Sequence, residues 1–180
     1  MSVPHGELVA KAFDVLWGAG CAAALGSIEA RLGKPVERGQ VEPLTWALAE
    51  RGRSFSAADY LVAVSYLQQV ARQLARFLLV YDVWLTPTLA EPPVPLGTFD
   101  SPPEDPLAGY RRAHAFVPFT PLANVTGQPA MSMPLHWNVE GLPIGTHFTG
   151  RFGDEATLFA LAAQLEEALP WANRRPSLIG

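Results

Sequence analysis

Seven prolines fall between Pro87 and Pro106, and no regular element survives that density, because each proline removes a backbone donor and fixes its own φ. The segment is therefore either a linker or an ordered surface loop. Trp84, Leu89, Leu96 and Phe99 favour the ordered loop, since they supply apolar anchors that a solvated linker lacks.

Ahead of the prolines the chain reads as helical. Residues 6–16 place Leu8, Ala12, Val15 and Leu16 at helical spacing, with Gly18 and Gly20 as punctuation. A second helix is expected over residues 21–32, ended by Gly33 with Pro35 beyond, and a shorter one over 43–49 precedes a turn at 51–53. The strongest helical signal begins at Ser56, which stands in a capping-box-like pair with Asp59, and runs to about Val80. Tyr60, Val64, Leu67, Ala71, Leu74, Leu78 and Tyr81 alternate spacings of four and three, which predicts one apolar face.

Around and behind the prolines the pattern changes. "YDVWLTPT" reads as a buried strand delivering a loop. A short helix near residues 110–114 and a turn-like "TPLANVTG" lead to a strand of small residues over 129–135, paired with 142–149 through "HWNVEGLP". Small side chains on a strand admit a neighbouring backbone or a ligand. A last helix, capped by Asp154, carries Leu158, Leu161, Ala162, Leu165 and Leu169 on one stripe. The fold class is α/β, with too few strands for a sheet covered on both faces, so strands of the sheet are expected to be missing.

Composition agrees with that shortage. The chain is 49% apolar and 17% charged, against about 25% charged in ordinary globular domains, which implies apolar surface meant to be covered by another segment or chain. A net charge of -4 with two lysines argues against a nucleic-acid or anionic-membrane partner. The single Cys21 excludes an internal disulfide and fits a reducing cytoplasm. The N-terminus lacks a signal-peptide pattern, and no run of about 18 apolar residues predicts a transmembrane span. The sequon-like Asn124-Val125-Thr126 then reads as coincidence.

No complete catalytic set is legible. Ser132 lies in "PAMSMP", a strand and not the sharp turn of a nucleophile elbow, so a small residue packed against a helix is the preferred reading. Cys21 follows Gly20 and could open a helix whose dipole would activate it, but a buried structural cysteine is the simpler reading. His5, His114, His136 and His147 show no metal-ligand spacing, so no metal is expected; His136 and His147 could face each other across the hairpin, although ordinary exposed or half-buried side chains are preferred. Gly18-Ala-Gly20 lacks the preceding strand and third glycine of a dinucleotide fingerprint, and no cofactor is expected. Glu166 and Glu167 read as a solvated helix face.

The sequence resembles the C-terminal portion of the amidase signature family. The features that carry this are "YDVWLTPT" with its proline-rich continuation, "FTPLANVTGQPAMSMPLHWNVEGLPIGTHFTG", "GDEATLFALAAQLEEALPW", a terminal "RRP", and the long helix leading into the first strand. "LANVTGQPAMSMPLHW" and "FGDEATL" are most similar to the branch containing nylon-oligomer (aminohexanoate cyclic dimer) hydrolases. The resemblance implies a single C-terminal amidase segment over residues 1–180: mainly helical over 1–80, strand and proline-rich loop over 81–108, and turn, hairpin and helix over 109–180.

The family's catalytic machinery is a nucleophilic serine, a second serine in a cis peptide and a lysine. No glycine- and serine-rich signature of that kind stands in this chain, and no serine pair stands beside Lys11 or Lys34. The resemblance thus implies no catalytic residue here, and a role in completing the sheet and the substrate pocket. Trp17, Cys21, Thr86, Pro87, Phe119, Thr120 and Asn124 are the implied pocket residues. The implied partners are a small amide substrate in the complete enzyme and either a complementary N-terminal amidase portion or a second copy; the alternative is a catalytically dead binding or assembly protein that keeps this half of the scaffold.

Overall fold

A computed structural model describes residues 6–174. The described residues divide into two compact units, residues 6–70 with 96–114 and residues 71–95 with 115–174. His5 and the last two residues of "RRP" lie outside the described residues.

In the first unit, helix α1 (Gly6–Leu32) is continuous where two helices were expected. Gly18 does not punctuate it. A Cβ on Gly18 would stand 3.3 Å from the Gly52 backbone, and one on Gly52 would run into the Gly18 carbonyl, so the two glycines are the contact point between α1 and α2 (Pro43–Ser54). Contact with a second helix offsets the roughly 1 kcal/mol that each helical glycine costs. The same contact explains why α2 continues through Gly52 to Ser54 instead of stopping at residue 49. Helix α1 ends where Gly33 takes φ +64, as its sequence predicts. Leu25, Val36 and Ala49 form the local core, with Cys21, Ala22, Ile28, Val41 and Trp46 packed on it. By length and composition α1 is also apolar enough to cross a membrane.

Helix α3 (Ala57–Phe77) starts on a reciprocal cap: the Asp59 amide donates to Ser56 Oγ at 3.1 Å and the Ser56 amide donates to Asp59 Oδ2 at 2.8 Å. It stops short of Val80. Its buried residues are Ala63, Leu67, Val70 and Leu74, with Leu78 just beyond its end, while Tyr60 and Tyr81 are exposed. The predicted stripe keeps Leu67, Leu74 and Leu78 but is rotated to bury Ala63 and Val70 in place of Tyr60 and Tyr81. Helix α4 (Ala108–Phe116) extends the short helix expected at 110–114, and its Gly109 amide donates to Ser101 Oγ.

The second unit holds a three-stranded antiparallel sheet in the order β1-β3-β2, built from β1 (Val83–Pro87), β2 (Ala130–Trp137) and β3 (Pro143–Gly150). The hairpin turn forms because the Asn138 side-chain carbonyl accepts from the Glu140 and Leu142 amides and Gly141 takes φ +77. A register shift between Met133 and His136 falls at Pro134, which cannot donate to a ladder. Helix α6 (Glu155–Ala168), capped by Asp154 as expected, covers one face: Leu158 packs with Met133 and Phe148, and a Cβ on Gly150 would stand 3.2 Å from Leu158 Cγ. Arg151 clasps the start of β1, donating to the Leu78 carbonyl at 2.6 Å and to Asp82 at 2.9 Å.

The proline-rich segment is held by backbone hydrogen bonds, Thr88 to Gly145, Ala90 to Phe116 and Asp100 to Gly97, and not by Leu96, which is fully exposed. Among the described residues, β1 and β2 each have one open edge. Leu79, Val80, Leu85, Phe152 and Phe159 are between 59% and 77% exposed, a large uncovered apolar area.

Candidate functional site

The face of the sheet opposite α6 carries a polar row beside Trp84 and Ala130. Antiparallel register sets Thr86, His147 and Ser132 side by side across β1, β3 and β2. Thr86, His147 and Thr149 are all buried. Thr86 Oγ1 lies 3.4 Å from His147 Nδ1, and burial pushes the imidazole below its ordinary pKa, which keeps it neutral. His136 is not its neighbour: it pairs with Ile144, one bulge away, and is exposed.

One step along the same face, Thr88 and Ser132 share a 2.6 Å hydrogen bond between their hydroxyls. Gly145 makes this approach feasible, because a Cβ there would stand 2.5 Å from Thr88 Oγ1 and 2.7 Å from Ser132 Oγ. Ser132 is thus exposed and bonded to a threonine, not packed against a helix. The row sets hydroxyl donors and acceptors beside a neutral imidazole.

The residues expected to line a pocket fall in separate places. Thr86 and Pro87 end β1, the first buried and the second exposed. Phe119 and Thr120 are half-buried just ahead of helix α5 (Pro121–Thr126), and Asn124 is exposed within it. The Ala90–Phe116 hydrogen bond ties the segment after Pro87 to the segment leading into α5. Gly127 ends α5 with φ +72, and the side-chain carbonyl of Gln128 beside it is buried with no hydrogen-bond partner among the described residues.

Trp17 and Cys21 lie on α1 in the first unit. Trp17 is 48% exposed and makes a tilted ring contact with Phe13. Cys21 sits mid-helix, not at a helix start, and burial raises its pKa, so no dipole activates it. Sequence reasoning missed Thr88 and Gly145 and read His147 as an ordinary exposed or half-buried side chain, whereas the β1–β3 pairing buries it beside Thr86 and a backbone hydrogen bond joins Thr88 to Gly145. It also missed Asp14 of the first unit, which accepts from Tyr110 and Arg51. Among the described residues no group of three or more His, Cys, Asp or Glu side chains could hold a metal ion.

This fold is that of amidases. The structure of 6-aminohexanoate cyclic dimer hydrolase matches 98% of this chain with a TM-score of 0.86 and 26% identity, the match covering 39% of that enzyme. An amidase crystal structure matches 93% of the chain with a TM-score of 0.75 and 25% identity. The amidase family profile matches residues 5–159, and the chain belongs to that family. Among its relatives, AmiC of Mycobacterium leprae is 38% identical over 161 residues, 89% of this chain and 34% of that protein. The 6-aminohexanoate-cyclic-dimer hydrolase of Paenarthrobacter ureafaciens is 31% identical over 154 residues, 82% of this chain and 31% of its own length. The chain thus spans about a third of the length of these relatives.

Proposed function

We propose that this chain is a C-terminal portion of an amide hydrolase, supplying part of the sheet and the wall of the substrate pocket to catalytic machinery carried by a complementary amidase portion. One observation carries this reading: almost all of the chain superposes on a hydrolase of a cyclic amide dimer, of which it makes up 39%. Amide hydrolysis by an acyl-enzyme route needs an activated nucleophile and preorganised donors for the oxyanion. Serine attacks the carbonyl, the amine leaves with a proton, and water then releases the acid. This chain supplies neither a serine pair nor a lysine beside one; Lys11 is paired with Glu7.

What it supplies is recognition. Thr86, Pro87, Phe119, Thr120 and Asn124 are assigned to the pocket wall, and the Thr86–His147 and Thr88–Ser132 pairs add hydrogen-bonding groups from the second unit. For Trp17 and Cys21 the assignment rests on the resemblance alone. The substrate class is a small linear or cyclic amide. The exposed apolar residues and open strand edges support a covering partner, since three short strands with bare edges invite pairing.

The test is amine release from 6-aminohexanoate cyclic dimer and from a simple linear amide. The chain is assayed alone and after co-expression with the part of the cyclic dimer hydrolase that it does not superpose on. Activity only in the combined preparation is expected. Activity of the chain alone overturns the reading, and none in either preparation favours an assembly or binding protein that keeps the scaffold.

A further inference from the structure

The first unit holds a cleft of about 160 Å³ lined by Asp14, Arg51, Leu107, Tyr110, Arg111 and His114. Asp14 stands at its centre with both carboxylate oxygens engaged. Oδ1 accepts from the Tyr110 hydroxyl at 2.8 Å and lies 3.4 Å from His114 Nε2, and Oδ2 accepts from Arg51 at 3.2 Å. The Tyr110 and His114 rings meet edge to face at 4.4 Å, which holds both on the same oxygen. Burial and the bond to Asp14 push the Tyr110 phenol far above its ordinary pKa, so it stays a donor.

A carboxylate so occupied is a poor ligand for an added cation; it aims the groups around it. What the cleft has in surplus is N–H donors. Each guanidinium carries five, Arg51 uses one amino group on Asp14, and Arg111 uses one on Asp105. Planar N–H pairs of this kind match the two oxygens of a carboxylate. A cleft of about 160 Å³ is in scale with a short-chain acid.

We propose that this cleft binds a small carboxylate, seated on the guanidinium groups of Arg51 and Arg111 against the walls made by Tyr110 and Leu107. Because the two arginines are 43% and 61% exposed, binding is weak, with a Kd of about 1–10 mM.

The experiment is a calorimetric or NMR titration of the whole chain with sodium propionate at constant ionic strength, with propionamide, sodium chloride and inorganic phosphate as parallel arms. Saturable propionate binding is expected, with no saturation by propionamide or chloride and phosphate weaker than propionate. Arg111→Gln weakens propionate at least tenfold, Arg51→Gln does likewise, and Lys11→Gln changes nothing. Arg51→Gln also unlatches Asp14 and could loosen the unit, so Arg111→Gln, on an exposed side chain, decides alone. Equal responses to chloride or propionamide, phosphate binding as tight as propionate, or an unchanged affinity in Arg111→Gln each overturn the proposal.

Discussion

Gly18 of α1 and Gly52 of α2 meet backbone to backbone, and the contact is asymmetric. A Cβ on Gly52 collides with the Gly18 carbonyl, whereas one on Gly18 meets the Gly52 backbone at 3.3 Å, tight but not overlapping. Backbone cannot move aside as the end of a flexible side chain can, so Gly52→Ala is expected to destabilise by about 2–3 kcal/mol despite alanine's better helix propensity. Gly18→Ala stays within about 1 kcal/mol of the parent, because the propensity gain offsets the crowding. Gly20, with nothing within 4 Å of its Cβ position, gains about 0.5–1 kcal/mol as alanine. Urea unfolding of the three variants checks the order; Gly52→Ala as stable as Gly20→Ala would remove the close contact.

The Thr88–Ser132 pair depends on Gly145 in the same geometric sense. Ser132→Ala loses one partly exposed hydrogen bond, a cost of about 0.5–1 kcal/mol. Gly145→Ala drives a methyl into both hydroxyls and costs more, about 1–3 kcal/mol. The double variant Gly145→Ala with Ser132→Ala is expected to recover part of that loss, because one of the two colliding oxygens is gone. Strict additivity in a double-mutant cycle would mean that the two residues do not share the site.

Leu158 and Phe159 are neighbours on α6 with opposite surroundings. Leu158 is buried between Met133 and Phe148, and Leu158→Ala should cost about 2–5 kcal/mol. Phe159 is 75% exposed, and Phe159→Ala should change stability of the chain alone by less than about 0.5 kcal/mol. If a complementary amidase portion covers this side, Phe159→Ala lowers the yield of the co-expressed complex without altering the melting of the chain by itself. A large loss in the chain alone would mean that Phe159 packs within it.

Local chemistry was readable in the sequence. The Ser56–Asp59 cap, the Gly33 and Asp154 helix ends, and the strand running into Pro87 each signal through residues a few positions apart, although that strand was expected to be buried and only its Thr86 is. The strand shortage was legible for the same reason. What escaped were features whose cause lies far along the chain. Gly18 reads as a breaker until Gly52 is seen against it, and Leu96 reads as an anchor although nothing covers it. Pairing His147 with Thr86 needs the β1–β3 register, and joining Asp14 to Tyr110 needs the tertiary fold; neither leaves a periodic trace.

His147 makes stability depend on pH in a defined direction. Its imidazole is buried beside Thr86, and burial lowers its pKa in the folded chain relative to the unfolded one, where it is solvated. Below the unfolded pKa the unfolded chain therefore binds the proton more readily than the folded chain, so stability rises with pH across this window. The contribution is fully present above the ordinary histidine value near 6.5 and is lost as pH falls from there toward the lowered folded value. His147→Gln keeps a hydrogen-bonding side chain without the titration, and should flatten this part of the curve. Midpoints of urea unfolding between pH 5 and pH 8 for the parent and His147→Gln measure the difference. A parent curve that rises on acidification, or one that His147→Gln leaves unaltered, would show that the folded chain accommodates the charged imidazole.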